Sequence, residues 1–186
     1  DEITLGFEKA YSANLNFGAK FTYRVLRATI DDFCDQRPFD AWALRNKVDT
    51  SNWAGFGCAS FNPGESNSFL VDFNDNNPDP SLRRKTYTKV DLTKADLGFE
   101  KAERKYYAVD LFLEHPYKNG WYGKINYTWS RNTGNTEGQT ASDFNTAQGD
   151  ISTTQTWDNQ EVMRYANGLL PNNRTHQIKA FGFYDL

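Results

Sequence analysis

The sequence has no run of about 18 apolar residues, which excludes a transmembrane helix. Hydrophobic residues make up only 38% of the 186 and mean hydropathy is -0.77, too little Leu, Ile and Val for the core of a soluble α/β domain. Charge of one sign is also lacking: 21 Lys and Arg face 24 Asp and Glu. No basic patch argues for a nucleic-acid partner. The largest basic cluster, Arg83-Arg84-Lys85, sits in a polar segment and reads as a solvated loop. Only two histidines occur, His115 before a proline in a predicted turn and His176 at a predicted strand start. Neither has a neighbouring Cys or Glu cluster, so no metal-ligand spacing exists. No nucleophile motif, phosphate loop or zinc pattern appears. The expectation is a protein that is not an enzyme, with no catalytic residue, no cofactor and no metal. The opening residues are not expected to form a secretory leader. The chain opens on Asp1-Glu2-Ile3-Thr4-Leu5 and ends on Phe183-Tyr184-Asp185-Leu186, both strand-like, which reads as a fragment cut through strands at both ends.

What the chain does have is aromatic residues, 16% of the total. Many aromatics on a polar background suit a β-structure with one greasy and one wet face. Ile3, Leu5 and Phe7 alternate with polar neighbours. Past a turn around residues 11–14, Leu15, Phe17, Ala19, Phe21, Tyr23 and Val25 take one face and Asn16, Gly18, Lys20, Thr22 and Arg24 the other. Eleven residues in unbroken alternation make a strong strand pattern, long enough to cross a bilayer core when tilted. In a second hairpin, Tyr107, Val109, Leu111 and Leu113 oppose Asp110 and Glu114. A turn at 115–120 ends on Asn119-Gly120, a hairpin dipeptide. Trp121, Gly123, Ile125, Tyr127 and Trp129 then alternate with Tyr122, Lys124, Asn126 and Thr128. Ile178, Ala180, Gly182 and Tyr184 alternate with Lys179, Phe181 and Phe183 in the last strand.

The predicted strands are therefore about 2–10, 15–27, 104–115, 121–131 and 175–186, joined alternately by brief turns and by long polar segments, about 28–103 and 132–174. A short strand is expected within the first segment at 69–73. The fold class is all-β, an antiparallel up-and-down transmembrane barrel, of which this chain supplies five strands and two long outer loops. In lipid every backbone N–H and C=O must find a partner, so the sheet must close through strands outside this stretch. The faces sort by charge. Lys20, Arg24, Asp110, Glu114, Lys124 and Lys179 are expected to line the lumen. Phe17, Phe21, Tyr23, Val109, Leu111, Leu113, Trp121, Ile125, Tyr127 and Trp129 are expected to meet lipid, with the tryptophans at interfacial belts. Short turns then face the periplasm and long segments the outside.

Cys34 and Cys58 share one polar segment and read as a structural disulfide formed in an oxidising compartment. Asp72, Asn74 and Asn76 have calcium-loop spacing, but Asn77 replaces the Gly and no Glu follows at the twelfth position, so an Asn/Asp turn is the better reading. Asp110 and Glu114 lie four residues apart on one strand, roughly 13 Å, too far for paired-carboxylate hydrolysis. Cross-strand pairing with Lys124 or other lumen charges fits them better. Leu-Gly-Phe-Glu-Lys-Ala occurs at 5–10 and at 97–102 without further extension, so no repeat fold is expected. An alternative architecture is a secreted, soluble β-sandwich that binds glycans, with Trp42, Trp53 and Trp157 as stacking platforms.

Several segments resemble one family. Gly168-Leu-Leu-Pro-Asn-Asn-Arg-Thr-His-Gln-Ile-Lys-Ala-Phe-Gly182 is similar to a strand-opening segment, LPNDRxHxxK, of Oar-like TonB-dependent receptors, with Asn173 where the family usually has Asp. Asn119-Gly-Trp-Tyr122, Asn126-Tyr-Thr-Trp-Ser130 and Gly134-Asn-Thr-Glu-Gly138 resemble the strand and loop before it, and Asp31-Asp-Phe-Cys34 and Trp53-Ala-Gly-Phe-Gly-Cys58 resemble the cysteine loop. The resemblance implies a barrel of about 22 strands with a plug, in the outer membrane of a Gram-negative bacterium. Its implied partners are membrane lipid, the plug and remaining strands, the TonB complex through that plug, and an unknown extracellular substrate imported with TonB-relayed energy. The plug is expected to lie outside this stretch.

Overall fold

A computed structural model describes residues 1–84, 86–137 and 156–186. Among the described residues the fold is mostly antiparallel β with three short helices. In chain order the elements are β1 (Glu2–Ser12), β2 (Leu15–Leu26), β3 (Asp31–Phe33), α1 (Arg37–Asn46), β4 (Ala59–Phe61), β5 (Asn67–Val71), β6 (Thr88–Leu92), α2 (Lys94–Leu97), β7 (Arg104–Lys118), β8 (Trp121–Gly134), α3 (Gln160–Met163), β9 (Gly168–Leu169) and β10 (His176–Tyr184). A 3-10 turn spans Pro80–Leu82. Two compact units share the chain: Asp1–Arg27, Glu103–Glu137 and Asn167–Leu186 form a sheet unit, and Ala28–Ala102 with Gly138–Ala166 form a second unit.

The sheet unit has the order β1-β2-β7-β8-β10, with β9 pairing the end of β8. Neighbours in sequence are neighbours in space, and β1 and β10 are its two edges. The registers stack residues into rows running across the strands. Leu5, Phe21, Val109, Trp129 and His176 form one row, and Phe7, Ala19, Leu111, Tyr127 and Ile178 the next. On the opposite face the middle row is Gly6, Lys20, Asp110, Thr128 and Gln177. Directly opposed residues of an antiparallel ladder point to the same side, so the period-2 pattern of each strand adds to that of its neighbours.

Both hairpins are tight. Asn119 and Gly120 have φ of 54° and 79°, the paired positive values of a type I′ turn whose twist matches its strands. The turn is thus two residues, not the six of 115–120. β7 continues through His115, Pro116 and Tyr117, with a register shift between His115 and Lys118 that accommodates the proline, which has no N–H for the ladder. His115 is accordingly a strand residue, stacked on Trp121 with ring centroids 3.6 Å apart.

The second unit corrects the picture of a long, unstructured polar connection between β2 and β7. It has its own hydrophobic core, in which Phe33, Phe39, Phe61, Val90, Leu92, Leu97, Phe99 and Trp157 are all but fully buried. Phe33 is its centre: the rings of Phe39, Phe56, Phe61, Phe69 and Phe99 surround it at 4.7–6.0 Å between centroids. Losing such a ring costs about 3–5 kcal/mol. The strand within this segment is Asn67–Val71, two residues earlier than the expected 69–73, and it pairs with β6. The hexamer Leu-Gly-Phe-Glu-Lys-Ala is β-strand at 5–10 but spans the end of α2 and a coil at 97–102, so its two copies share no structure. The second polar segment, 132–174, falls partly outside the described residues, as do Lys85 of the basic cluster and Gly138.

Candidate functional site

The sheet unit presents two contrasting faces. Phe17, Phe21, Tyr23, Val109, Leu111, Leu113, Trp121, Ile125, Tyr127 and Trp129 all share one face, and Lys20, Arg24, Asp110, Glu114, Lys124 and Lys179 all share the other. Both faces are largely open, with the Lys20 and Arg24 side chains 54% and 55% exposed on the polar one. On the apolar face Leu111 is 44% exposed, Leu113 48% and Ile125 53%, whereas on the polar face Thr22, Ala108 and Ser130 are buried.

The polar face is knitted by ions. Lys20 on β2 lies 3.6 Å from Asp110 on β7, which also accepts a 2.6 Å hydrogen bond from the Thr128 hydroxyl on β8. Glu114 and Lys124 pair at 2.9 Å across β7 and β8, and Glu2 and Arg24 at 2.8 Å across β1 and β2. Asp110 and Glu114 thus each find a different cation and never form a carboxylate couple. Lys179 forms no ion pair among the described residues. Toward the hairpin turns this face changes character: Tyr117, Tyr122, Phe181 and Phe183 stack with centroids 5.6–5.7 Å apart.

The apolar face has rings near both ends. Trp121 opposes Tyr184 at the turn end, and Tyr23 and Tyr107 lie 5.0 Å apart at the other. Cations appear only outside the two central rows. Lys9 continues the face of Ile3, Leu5 and Phe7 one row toward the turn, opposite Phe17. Arg131 and Lys105 sit on the same face at the far end.

In the second unit the cysteines are bonded. Phe33 pairs with Ala59, so Cys34 and Cys58 fall directly opposite one another, with Cα atoms 4.1 Å apart, and the disulfide adds a rung to the β3–β4 ladder. Asp32 lies beside the two sulfurs, but both are committed to the disulfide bond. Arg37 at the start of α1 binds the buried Asp35 at 2.6 Å and Glu161 of α3 at 2.7 Å, which raises its pKa. Arg45 at the end of α1 reaches Asp96 of α2 at 2.6 Å. That guanidinium, with the Thr93 capping-box hydrogen bonds, holds the Asp96 carboxyl down at about 2. Asp158 moves the other way: burial and the neighbouring Asp32 raise its pKa.

The calcium-like spacing at 72–76 builds a turn. Asp72 accepts the Asn74 N–H at 2.9 Å through one oxygen and the Arg84 N–H through the other. Asp75 accepts the Ala54 N–H at 2.7 Å. The three loop tryptophans are not a row of open platforms. Trp157 is 1% exposed in the core, Trp42 stacks on Phe73 from α1, and Trp53 meets Phe73 edge-on. His176 is held by the Tyr127 hydroxyl at 2.8 Å.

The fold and its faces define an all-β protein with an antiparallel, two-faced sheet and a disulfide-bonded second unit. Among known proteins the chain is similar to the TonB-dependent transporter Oar of Myxococcus xanthus, 30% identical over 182 residues, which are 98% of this chain. The chain spans 13% of the length of that relative. No family model matches the chain, and no solved structure matches it.

Proposed function

We propose that this chain is a section of barrel wall with its outward-facing unit in a TonB-dependent receptor of a Gram-negative outer membrane. The receptor binds an extracellular substrate and imports it with energy relayed by TonB. The section itself does no catalysis. Its apolar face meets lipid and its polar face lines the lumen. Strands outside this stretch pair with the free edges of β1 and β10, and the plug with its TonB contact lies elsewhere in the receptor.

The observation that carries this reading is the open apolar face of the sheet: ordered rows of exposed Leu, Ile and aromatic side chains on one face, ion pairs on the other. A sheet with this face open to water would aggregate. In lipid, the same face gains from apolar contact and the unpaired edges must be closed. The relationship to Oar supports the assignment. The second unit follows from connectivity, because both long connections leave the sheet at the end where Leu26, Arg104 and Gly134 stand in register. Short turns at the opposite end are periplasmic, so this unit is extracellular.

A glycan-binding β-sandwich needs a second sheet against the apolar face and open tryptophans. The long-strand sheet is a single layer within its unit, and Trp157 is buried. Fractionation of cells producing the full-length protein tests the reading. The receptor should sediment with outer membranes and leave them only in detergent. Recovery in the soluble fraction without detergent overturns it.

A further inference from the structure

We propose that the second unit binds an extended peptide strand in the groove between β4 and β5, which separates its two small sheets. The proposal concerns that unit alone and stands whether or not the sheet unit crosses a membrane.

β3 pairs with β4 and β5 with β6, so among the described residues β4 and β5 each keep an unpaired edge. The turn at 62–66 joins these two strands. At the turn they are held together: the Asn67 side chain accepts the Asn62 N–H at 2.8 Å and donates to the Asn62 carbonyl at 3.1 Å. Beyond it they separate and a groove opens. Phe69, Leu70 and Val71 line one wall. Successive strand residues point to opposite faces, so three in a row border one groove where it runs along the strand's edge, past the backbone N–H and C=O groups. Gly55, Phe56, Gly57 and Ala59 line the same groove from the β4 side. A Cβ on Gly57 would meet nothing within 4 Å, so space lies open beside that backbone. The next residue, Cys58, is tied to Cys34 by the disulfide, which fixes this wall before any ligand arrives.

An unpaired strand edge accepts another strand. Main-chain hydrogen bonds then supply affinity, and pockets for alternate side chains supply selectivity. Apolar side chains flank this edge. The Phe56 ring stacks on Phe39 at 4.1 Å and the Phe69 ring meets Phe33 at 5.7 Å, so both border the groove from the core side. Leu70 and Tyr87 line it too and are 71% and 54% exposed. Charge selects further. Asp72 spends both carboxylate oxygens on the Asn74 and Arg84 N–H groups, and Asp75 accepts the Ala54 N–H at 2.7 Å. Arg84, exposed at the same groove, forms no ion pair among the described residues. An acidic side chain on the bound strand complements that guanidinium. A small apolar molecule would use the rings and leave the strand edges and Arg84 unmet.

The probe is a pool of acetylated, amidated heptapeptides that alternate Thr with Val, Phe or Tyr and carry one Glu. One control is the same pool N-methylated at every second residue, made in both registers. The other control carries Lys in place of Glu. Equilibrium dialysis of the full-length protein against each pool, read by mass spectrometry, is the test. The Glu pool should be retained at least about tenfold more than the N-methylated pools, which lack the donors that a strand edge needs. It should also be retained more than the Lys pool. R84E should reverse the preference between Glu and Lys, and K179Q in the sheet unit should leave it unchanged. Retention of no pool, or equal retention of parent and N-methylated pools, overturns the proposal, as does an unchanged Glu preference in R84E. The N-methylation comparison needs no variant, so it decides even if R84E fails to fold.

Discussion

The Phe112 ring on β7 crowds Gly18 on β2, so that a Cβ at position 18 would collide with that ring and sit 2.6 Å from the Phe7 carbonyl oxygen on β1. The Lys124 ammonium stands 4.7 Å from the centroid of that ring and is held by Glu114. A glycine, a ring, a cation and a carboxylate thus link four residues on three strands of the polar face.

Gly18→Ala should therefore destabilise the folded protein by about 1–3 kcal/mol, the usual cost of overpacking. Because the Phe7 carbonyl is backbone, Phe112→Ala should relieve only part of that cost in the double variant. Equilibrium unfolding of the two single variants and the double variant measures the coupling.

The disulfide closes the chain between Cys34 and Cys58, a sequence separation of 24. Its replacement by two serines should lower the stability of the second unit by about 2–4 kcal/mol. Limited proteolysis of the full-length protein should then cut within residues 28–102 while the sheet unit stays protected. Unchanged protease resistance would mean that the core around Phe33 suffices without the bridge.

Two carboxylates of the second unit give opposite pH dependence. Asp96 has a folded pKa of about 2 against a usual 3.8, so its stabilisation is present above pH 3.8 and is lost as pH falls toward 2. Asp96→Asn should remove part of the acid dependence in that window, on the order of 1 kcal/mol. Asp158 has a raised pKa, so the folded state takes up its proton more readily than the unfolded state. Stability from this group rises as pH falls through its folded value, and the charged form is a cost at neutrality. Asp158→Asn should raise the melting temperature at pH 7 and lose that advantage on acidification, as thermal melts across pH would show.

The middle rows of the sheet separate apolar from charged side chains most sharply. Leu111→Arg places a cation in the central apolar row and, on the proposed barrel-wall reading, should cost roughly 2–4 kcal/mol, as for a basic residue at mid-bilayer. Asp110→Asn, one residue away, removes an ion pair whose Lys20 side chain is 54% exposed, and should cost at most about 1 kcal/mol. The folded fraction recovered from outer membranes, read by heat-modifiable mobility, compares them.

Legibility followed periodicity. The alternation of Leu15 to Val25 and of Trp121 to Trp129 is visible because neighbouring side chains take opposite faces, and all-β character followed from it. The position of the disulfide was readable from two cysteines in one segment. The second unit was not legible, for a physical reason. Its core is collected from Phe33, Phe39, Phe56, Phe61, Phe69, Phe73, Phe99 and Trp157, each separated by polar turns, so no window of 11–18 residues shows a helical or strand period. Composition over residues 28–103 looks like a loop because a small aromatic core needs few residues. The end of β7 was missed because Pro116 reads as a strand breaker, while a bulge beside the turn tolerates it. Pairing of Asp110 with Lys20 rather than with Lys124 depends on register, which alternation alone leaves open.

The central claim is that one face of the sheet meets lipid and the other meets water. Cys34 and Cys58 are bonded to each other, so with any cysteine outside this stretch replaced, single cysteines placed along residues 109–113 and 124–128 of the full-length protein can carry nitroxide labels. Collision with oxygen reports lipid, and collision with a water-soluble nickel chelate reports the lumen. The account predicts strict alternation: positions 109, 111, 113, 125 and 127 favour oxygen, and positions 110, 112, 124, 126 and 128 favour nickel. Equal nickel accessibility at Leu111 and Asp110, or no period of two along either strand, would contradict it.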